Sequence, residues 1–427
     1  VTERATIEQS HLPLPIRLLN RCGGLVPSDA MSSAPLRAIG LIEAAKRRCG
    51  LDDFGDGDFF EPLSHLLESC HSEARLNLFG KMALRADLLR TLCNRLLIER
   101  DRKANAQIAQ QQIRQPLVVL GLPRSGTTIL HILLAADPEH RVPQSWEAME
   151  PSLPRGDDDE RRRIQRATRN FRCLRWLAPA FYRVHPMGAR LPQECVSLMS
   201  PSFLSDQYDT MFYIPAYRTW FLKQSLRPAY EFHRRILQHL QFRQNGRRWI
   251  LKAPAHMFAL PTLLSIYPDA LFVQTHRAPL DCVASVSSLI TLLRRLFSDT
   301  VDPRQIGHDA LRYWSETMRS FLQERDRLPP NRIVDLSYEE LRRDPIAAVR
   351  RIYQQFGWTL SPDVEKRMRE TLAKHPREQN GFHRYTPSDF GLDAADCAER
   401  FAEYCDRFEL APEPPVRPHI LESDAVA

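Results

Sequence analysis

Leu117-Val118-Val119-Leu120-Gly121-Leu122-Pro123-Arg124-Ser125-Gly126-Thr127-Thr128 is the stretch on which the fold turns. Its first four residues form a short apolar run rich in β-branched side chains. That run predicts a strand buried on both faces, as in a parallel sheet. A Gly/Pro/Ser loop follows, and Thr128 to Ala136 predicts a helix stopped by Asp137-Pro138. Gly121 and Gly126 have the G-x-x-x-x-G spacing of a phosphate-binding loop. Glycines let the backbone wrap closely around oxygens, and the helix that follows offers free N–H groups and a partial positive charge. Arg124 adds a fixed cation, and Ser125, Thr127 and Thr128 add hydroxyls.

Outward from this loop the same pattern recurs. Trp249-Ile250-Leu251 runs into Lys252-Ala253-Pro254, Leu271-Phe272-Val273-Gln274 into Thr275-His276-Arg277, and Ile333-Val334-Asp335-Leu336 into Ser337-Tyr338-Glu339. Each apolar run ends in polar residues and a helical pattern, the signature of βα units. The expected fold is α/β: a P-loop-like central parallel sheet flanked by helices, with an N-terminal helical region at 1–112. The α/β domain is expected over 113–411, with a helical acceptor-binding insertion at about 150–245. A Pro-rich flexible tail is expected at 412–427.

The 427 residues allow one large α/β domain with a smaller attachment, or two domains. The net charge of +7 suits an anionic ligand or surface. No zinc-finger or aromatic-basic RNA pattern is present, so no nucleic-acid partner is expected. The nine cysteines are dispersed without a CxxC pair, which predicts reduced thiols. No His/Asp/Glu cluster has metal-ligand spacing, so no metal is expected. No apolar run approaches about 20 residues and no leader pattern opens the chain, so a cytoplasmic location is expected, with a peripheral membrane contact left open. The basic run Arg161-Arg162-Arg163, with Arg166, Arg169 and Arg172, reads as a solvated helix face or as a docking surface for an acidic acceptor or anionic lipid.

The loop resembles the 5′-phosphosulfate-binding loop of the sulfotransferase superfamily, in the Arg form shared by bacterial enzymes and the protein-tyrosine sulfotransferases. The resemblance extends over about 116–410. It implies 3′-phosphoadenosine 5′-phosphosulfate (PAPS) as co-substrate, held at its 5′ end by Pro123, Arg124, Ser125, Gly126, Thr127 and Thr128. Arg277 and, eight positions later, Ser285 resemble the 3′-phosphate segment. Tyr338 in Tyr338-Glu339-Glu340-Leu341 resembles the tyrosine beside the adenine. Lys252 in Lys252-Ala253-Pro254 resembles the lysine that stabilises the leaving phosphate oxygen. Arg384 or Tyr385 is expected to close over the nucleotide, unless that stretch is a capping loop with Ser388 or Asp389 as the cap. The implied reaction is in-line transfer of a sulfuryl group to a hydroxyl of a carbohydrate, lipid or other small molecule.

That hydroxyl must lose a proton, and Glu147 is the expected base. Counting from Arg124, Ser145 stands at the strict equivalent of the family's glutamate, so His185, Glu194 and His256 stay open as alternatives. Two other readings compete. A P-loop kinase or NTPase is opposed by Thr127, which stands where those loops carry Lys. A non-catalytic nucleotide- or polyanion-binding protein on the same fold is opposed only by the presence of Lys252 and a nearby acid. Oligomeric state is not readable from the sequence.

Overall fold

The computed structural model describes residues 12–25, 36–56, 58–152, 159–185, 187–243, 247–374 and 385–410. Five parallel strands form one sheet in the order β2-β3-β1-β4-β5. They are β1 (Leu117–Gly121), β2 (His140–Arg141), β3 (Arg248–Lys252), β4 (Leu271–His276) and β5 (Ile333–Ser337). The four expected strands are all present. The two-residue edge strand β2 is too short to leave a periodic signal.

The apolar runs are buried on both faces because each face has its own helical layer. Leu117, Val119, Ile250, Val273 and Leu336 pack on one side with Leu130 and Leu133 of the helix Thr127–Leu134, Val349 and Ile352 of Pro345–Gln355, and Met368 of Pro362–Lys374. Val118, Leu120, Trp249, Leu251 and Phe272 face the other side. Their cluster includes Val283 and Ile290 of Pro279–Phe297 and Leu237 of Arg227–Arg243. Leu84 and Leu92 of the N-terminal helix Leu78–Ala104 belong to this same core.

The chain after β1 therefore passes to one face, while the chain after β4, the strand beside β1, passes to the other. The crevice between their carboxyl ends is the topological switch point, where open α/β sheets bind ligands. Segment 150–245 is mostly helical where described, from Glu160–Leu177 to Arg227–Arg243, with non-helical stretches such as 187–195. The expected tail at 412–427 and Arg384 lie outside the described residues.

Candidate active site

Residues 122–126 curl out of β1 with Arg124 at φ 73° and Gly126 at φ 96°. A left-handed arginine is strained, which is common where a backbone is shaped for binding. At Gly126 a Cβ would stand 2.8 Å from Leu341 Cδ2 and 3.2 Å from Tyr338 Cδ2, so only glycine lets the loop lie against the helix after β5. Ser125 and Thr127 are buried, whereas Pro123, Arg124, Gly126 and Thr128 keep an open side. The Ser125 hydroxyl is committed within the fold: it donates to Leu122 O at 2.6 Å and lies 2.6 Å from Thr275 Oγ1. It ties the loop to β4.

Arg124 reaches across the crevice and its Nε donates to Ser285 Oγ at 3.1 Å. Arg277 Nη1 donates to Arg124 O at 3.1 Å and Nη2 to Asp281 Oδ2 at 2.9 Å. The Arg277 guanidinium also lies 4.4 Å above the Tyr338 ring. Register explains this last contact. His276 pairs with Ser337, so the next residue of each strand emerges beside the other. Tyr385 bonds to Ser285 and lies near Arg124.

Burial alone would weaken the Arg277 cation, but the Asp281 carboxylate that accepts its hydrogen bond helps hold it charged. Its Nε is buried with no acceptor, an orphaned donor at the heart of the crevice. Two guanidiniums, a hydroxyl and an aromatic face therefore converge where the sequence expects the 5′ and 3′ phosphates. They fit a compact, multiply charged nucleotide. The 3-10 turn Pro387–Phe390 beyond Tyr385 is capped by Thr386, with Asp389 closing the box; Ser388 is not the cap.

A second cluster lies at the end of β3. Lys252 is 3% exposed. Its Nζ donates to Thr128 Oγ1 at 3.3 Å and to the carboxylate of Glu194. Glu194 arrives there because the Cys195 N–H donates to Lys252 O at 2.9 Å. Burial favours its neutral form, but the charges of Lys252 and His185 and the Lys252 hydrogen bond hold the Glu194 pKa below its ordinary value. His185 sits in the same field: burial, Lys252 and Arg124 outweigh Glu194 and lower its pKa to about 4. His256 Nδ1 is 2.7 Å from the Tyr230 hydroxyl, and burial lowers its pKa to about 3.

Glu147, the expected base, is engaged elsewhere. One carboxylate oxygen accepts from Arg141 Nη2 at 2.9 Å in a buried ion pair, and the other accepts from the Gln144 N–H at 2.9 Å. Together with Gln144 it forms the capping box of the helix Ser145–Met149. Both oxygens serve the local fold, and the acid brought to Lys252 is Glu194. No local signal in Gln193-Glu194-Cys195 could have ranked it above Glu147, because the contact depends on a backbone hydrogen bond between segments far apart in sequence. Asp281, which orients Arg277, was legible in principle from its i, i+4 spacing within the Arg277 to Ser285 segment. The basic run divides: Arg163 is buried over Trp146, Arg166 pairs with Glu150, and Arg161, Arg162, Arg169 and Arg172 are exposed.

The family model for the sulfotransferase family matches residues 116–362. The chain belongs to the sulfotransferase family. It is 33% identical to the sulfotransferase STF1 of Mycobacterium tuberculosis, with a TM-score of 0.76 over 86% of this chain and 99% of that one. It is 27% identical to STF9 of Mycobacterium avium, with a TM-score of 0.78 over 89% of this chain and 98% of that one. Among curated relatives it is 26% identical, over 70% of this chain and 77% of the other, to omega-hydroxy-beta-dihydromenaquinone-9 sulfotransferase Stf3 of Mycobacterium bovis.

The protein is thus a sulfotransferase of the bacterial group, transferring a sulfuryl group from a PAPS-type co-substrate to a hydroxyl-bearing acceptor. The kinase or NTPase alternative is not favoured. Among the described residues no helix is long and apolar enough to cross a membrane.

Proposed function

We propose that this sulfotransferase uses PAPS itself and sulfates a hydroxyl on an elongated, largely apolar acceptor, with Lys252 at the leaving group and Glu194 as the base. The observation that carries the reading is the arrangement of the two clusters. Lys252 and Thr128 adjoin the loop that would hold the 5′ end, and Arg277 and Ser285 lie across the crevice for the 3′ phosphate. PAPS supplies the sulfuryl group and departs as adenosine 3′,5′-bisphosphate.

In this reading Arg124, Gly126 and Thr128 hold the 5′ end, aided by the loop's backbone. Pro123 shapes that loop, and buried Ser125 and Thr127 brace it. Tyr338 offers its ring to the base. The bond from the acceptor oxygen to sulfur forms as the bond from sulfur to the bridging phosphate oxygen breaks. Lys252 neutralises the charge gathering on that phosphate oxygen. Glu194 receives the acceptor's proton. Engagement of Lys252 by the donor draws its charge away from Glu194, which raises the basicity of the carboxylate when it is needed.

An apolar acceptor is supported by the name of the relative Stf3, a sulfotransferase of a hydroxylated menaquinone. Transfer of label from sulfur-35 PAPS to a long-chain alcohol tests the assignment. Glu194→Gln and Lys252→Ala are expected to lower kcat at least about 100-fold, within the range for a general base or an electrostatic stabiliser. Glu194→Gln is also expected to retain binding of adenosine 3′,5′-bisphosphate. Transfer by Glu194→Gln within about threefold of wild type would remove Glu194 from the mechanism.

A further inference from the structure

The backbone of Arg277 is held by a chain of buried side chains that the transfer step does not use. Its N–H donates to the hydroxyl of Tyr404, on the helix Ala402–Arg407. The same hydroxyl lies 3.2 Å from His276 Nδ1, and His276 Nε2 lies 2.8 Å from Asp335 Oδ1. Arg325, the last residue of the helix Pro303–Arg325, closes the chain with a two-pronged grip on Asp335, at 2.8 Å to Oδ1 and 2.9 Å to Oδ2. Its Nη1 also donates to the Gln274 side chain. Tyr404 is 1% exposed, and His276, Gln274 and Arg325 are buried as well.

Chemistry fixes the order of the donors. The Asp335 carboxylate can only accept: burial alone would favour its neutral form, but the hydrogen bonds from His276 and Arg325 hold its pKa far below the ordinary value. Nε2 of His276 therefore carries the proton. Burial lowers the pKa of His276 in spite of Asp335, so the ring is neutral and Nδ1 is an acceptor. The Tyr404 hydroxyl gives its one proton to Nδ1, and its lone pairs are left for the Arg277 N–H. Phe408 stacks on the imidazole, with ring centres 3.8 Å apart and planes 23° apart, and fixes the plane of the ring.

The register puts this network directly behind the donor site. Gln274 pairs with Asp335 and His276 with Ser337, so Gln274, His276 and Asp335 share one face of the sheet. Arg277 follows at once, where the pairing of β4 with β5 ends. Asp281 and the carbonyl of Arg124 hold its guanidinium. The Tyr404 hydroxyl holds the peptide from which that side chain springs.

We propose that Tyr404 is a positioning residue for the 3′-phosphate site, acting through the backbone of Arg277, and that His276, Asp335 and Arg325 fix the direction of its hydroxyl. The C-terminal helix Ala402–Arg407 thereby takes part in recognition of the donor. The proposal rests on the donor reading above for the role of Arg277.

The test compares two ligands that differ by that phosphate, adenosine 3′,5′-bisphosphate and AMP, titrated by calorimetry into the whole chain. Tyr404→Phe keeps the buried ring and removes only the hydroxyl. The expected result is a loss of roughly fivefold or more in affinity for the bisphosphate, on the scale of one hydrogen bond, with AMP affinity unchanged. His276→Gln keeps a donor for Asp335 but not the acceptor for Tyr404, and a similar one-sided loss is expected there; it decides the matter if Tyr404→Phe folds poorly. In an Arg277→Ala background, Tyr404→Phe should cost the bisphosphate nothing further, because its effect passes through Arg277. Bisphosphate affinity within about twofold of wild type, a loss shared equally by AMP, or an equal loss in both backgrounds would overturn the proposal. A wild type that binds the two ligands alike would instead sink the 3′-phosphate reading of Arg277, and this proposal with it.

Discussion

Glu147 and Glu194 are both buried or half-buried acids paired to a cation, yet their surroundings assign them different work. Glu147 has both oxygens engaged by Arg141 and by its own helix start, so its removal leaves Arg141 charged and buried without its partner. Glu147→Ala is therefore expected to cost about 3–5 kcal/mol in urea unfolding, the range for breaking a buried ion pair. Transfer per folded molecule should fall far less than in Glu194→Gln. A Glu147→Ala protein of wild-type stability with no transfer would reverse the two assignments. The residues of the donor crevice were legible because each follows a strand in a short local pattern. Glu194 was legible only as one of several acids, since nothing near it in sequence records its contact with Lys252.

Among the elements, those with the longest uninterrupted apolar runs were read most directly. β1, β3, β4 and the helices after them have periods that survive without knowledge of neighbours. β2 has only two residues and is a strand because β3 lies beside it, with His140 paired to Arg248 and Arg141 to Trp249. The sheet register is what converts scattered motifs into a site. Gly121 pairs with Thr275 across β1 and β4, and His276 with Ser337 across β4 and β5. These two pairings set the phosphate loop, Arg277 and Tyr338 along one edge of the sheet. The sequence carries the ends of the strands but not their order, so the convergence of Arg124, Ser285 and Arg277 could be expected only through the family resemblance.

For the whole molecule, the buried histidines make acid the weak side of its stability. Burial lowers the pKa of His131, His233 and His256 to about 3, and of His185 and His239 to about 4. The unfolded chain takes up these protons near pH 6.5, whereas the folded protein refuses them until far lower pH. A group with a depressed folded pKa contributes stability above its unfolded pKa and loses it as pH falls, so stability must drop between about pH 6.5 and 4.

Asp206 opposes this: burial and the charge of Asp209 raise its pKa to about 6, so it favours the folded state on acidification. Five imidazoles outweigh one carboxyl. At about 1.4 kcal/mol per pH unit for each group, a few together cancel the 5–15 kcal/mol typical of a domain. The urea midpoint is expected to fall steeply from pH 7 to pH 5. A flat midpoint over that range would mean that these imidazoles are not buried in their neutral form.

In the proposed reading the donor site has two phosphate positions, with Arg124 and the loop at one end and Arg277 and Ser285 at the other. Calorimetric titration of the whole chain with adenosine 3′,5′-bisphosphate, set against ATP with magnesium, tests it most directly. The bisphosphate is expected to bind at least about 100-fold more tightly than ATP, and Arg277→Ala is expected to remove most of this preference. Equal or tighter binding of ATP, or an undiminished preference in Arg277→Ala, would contradict it.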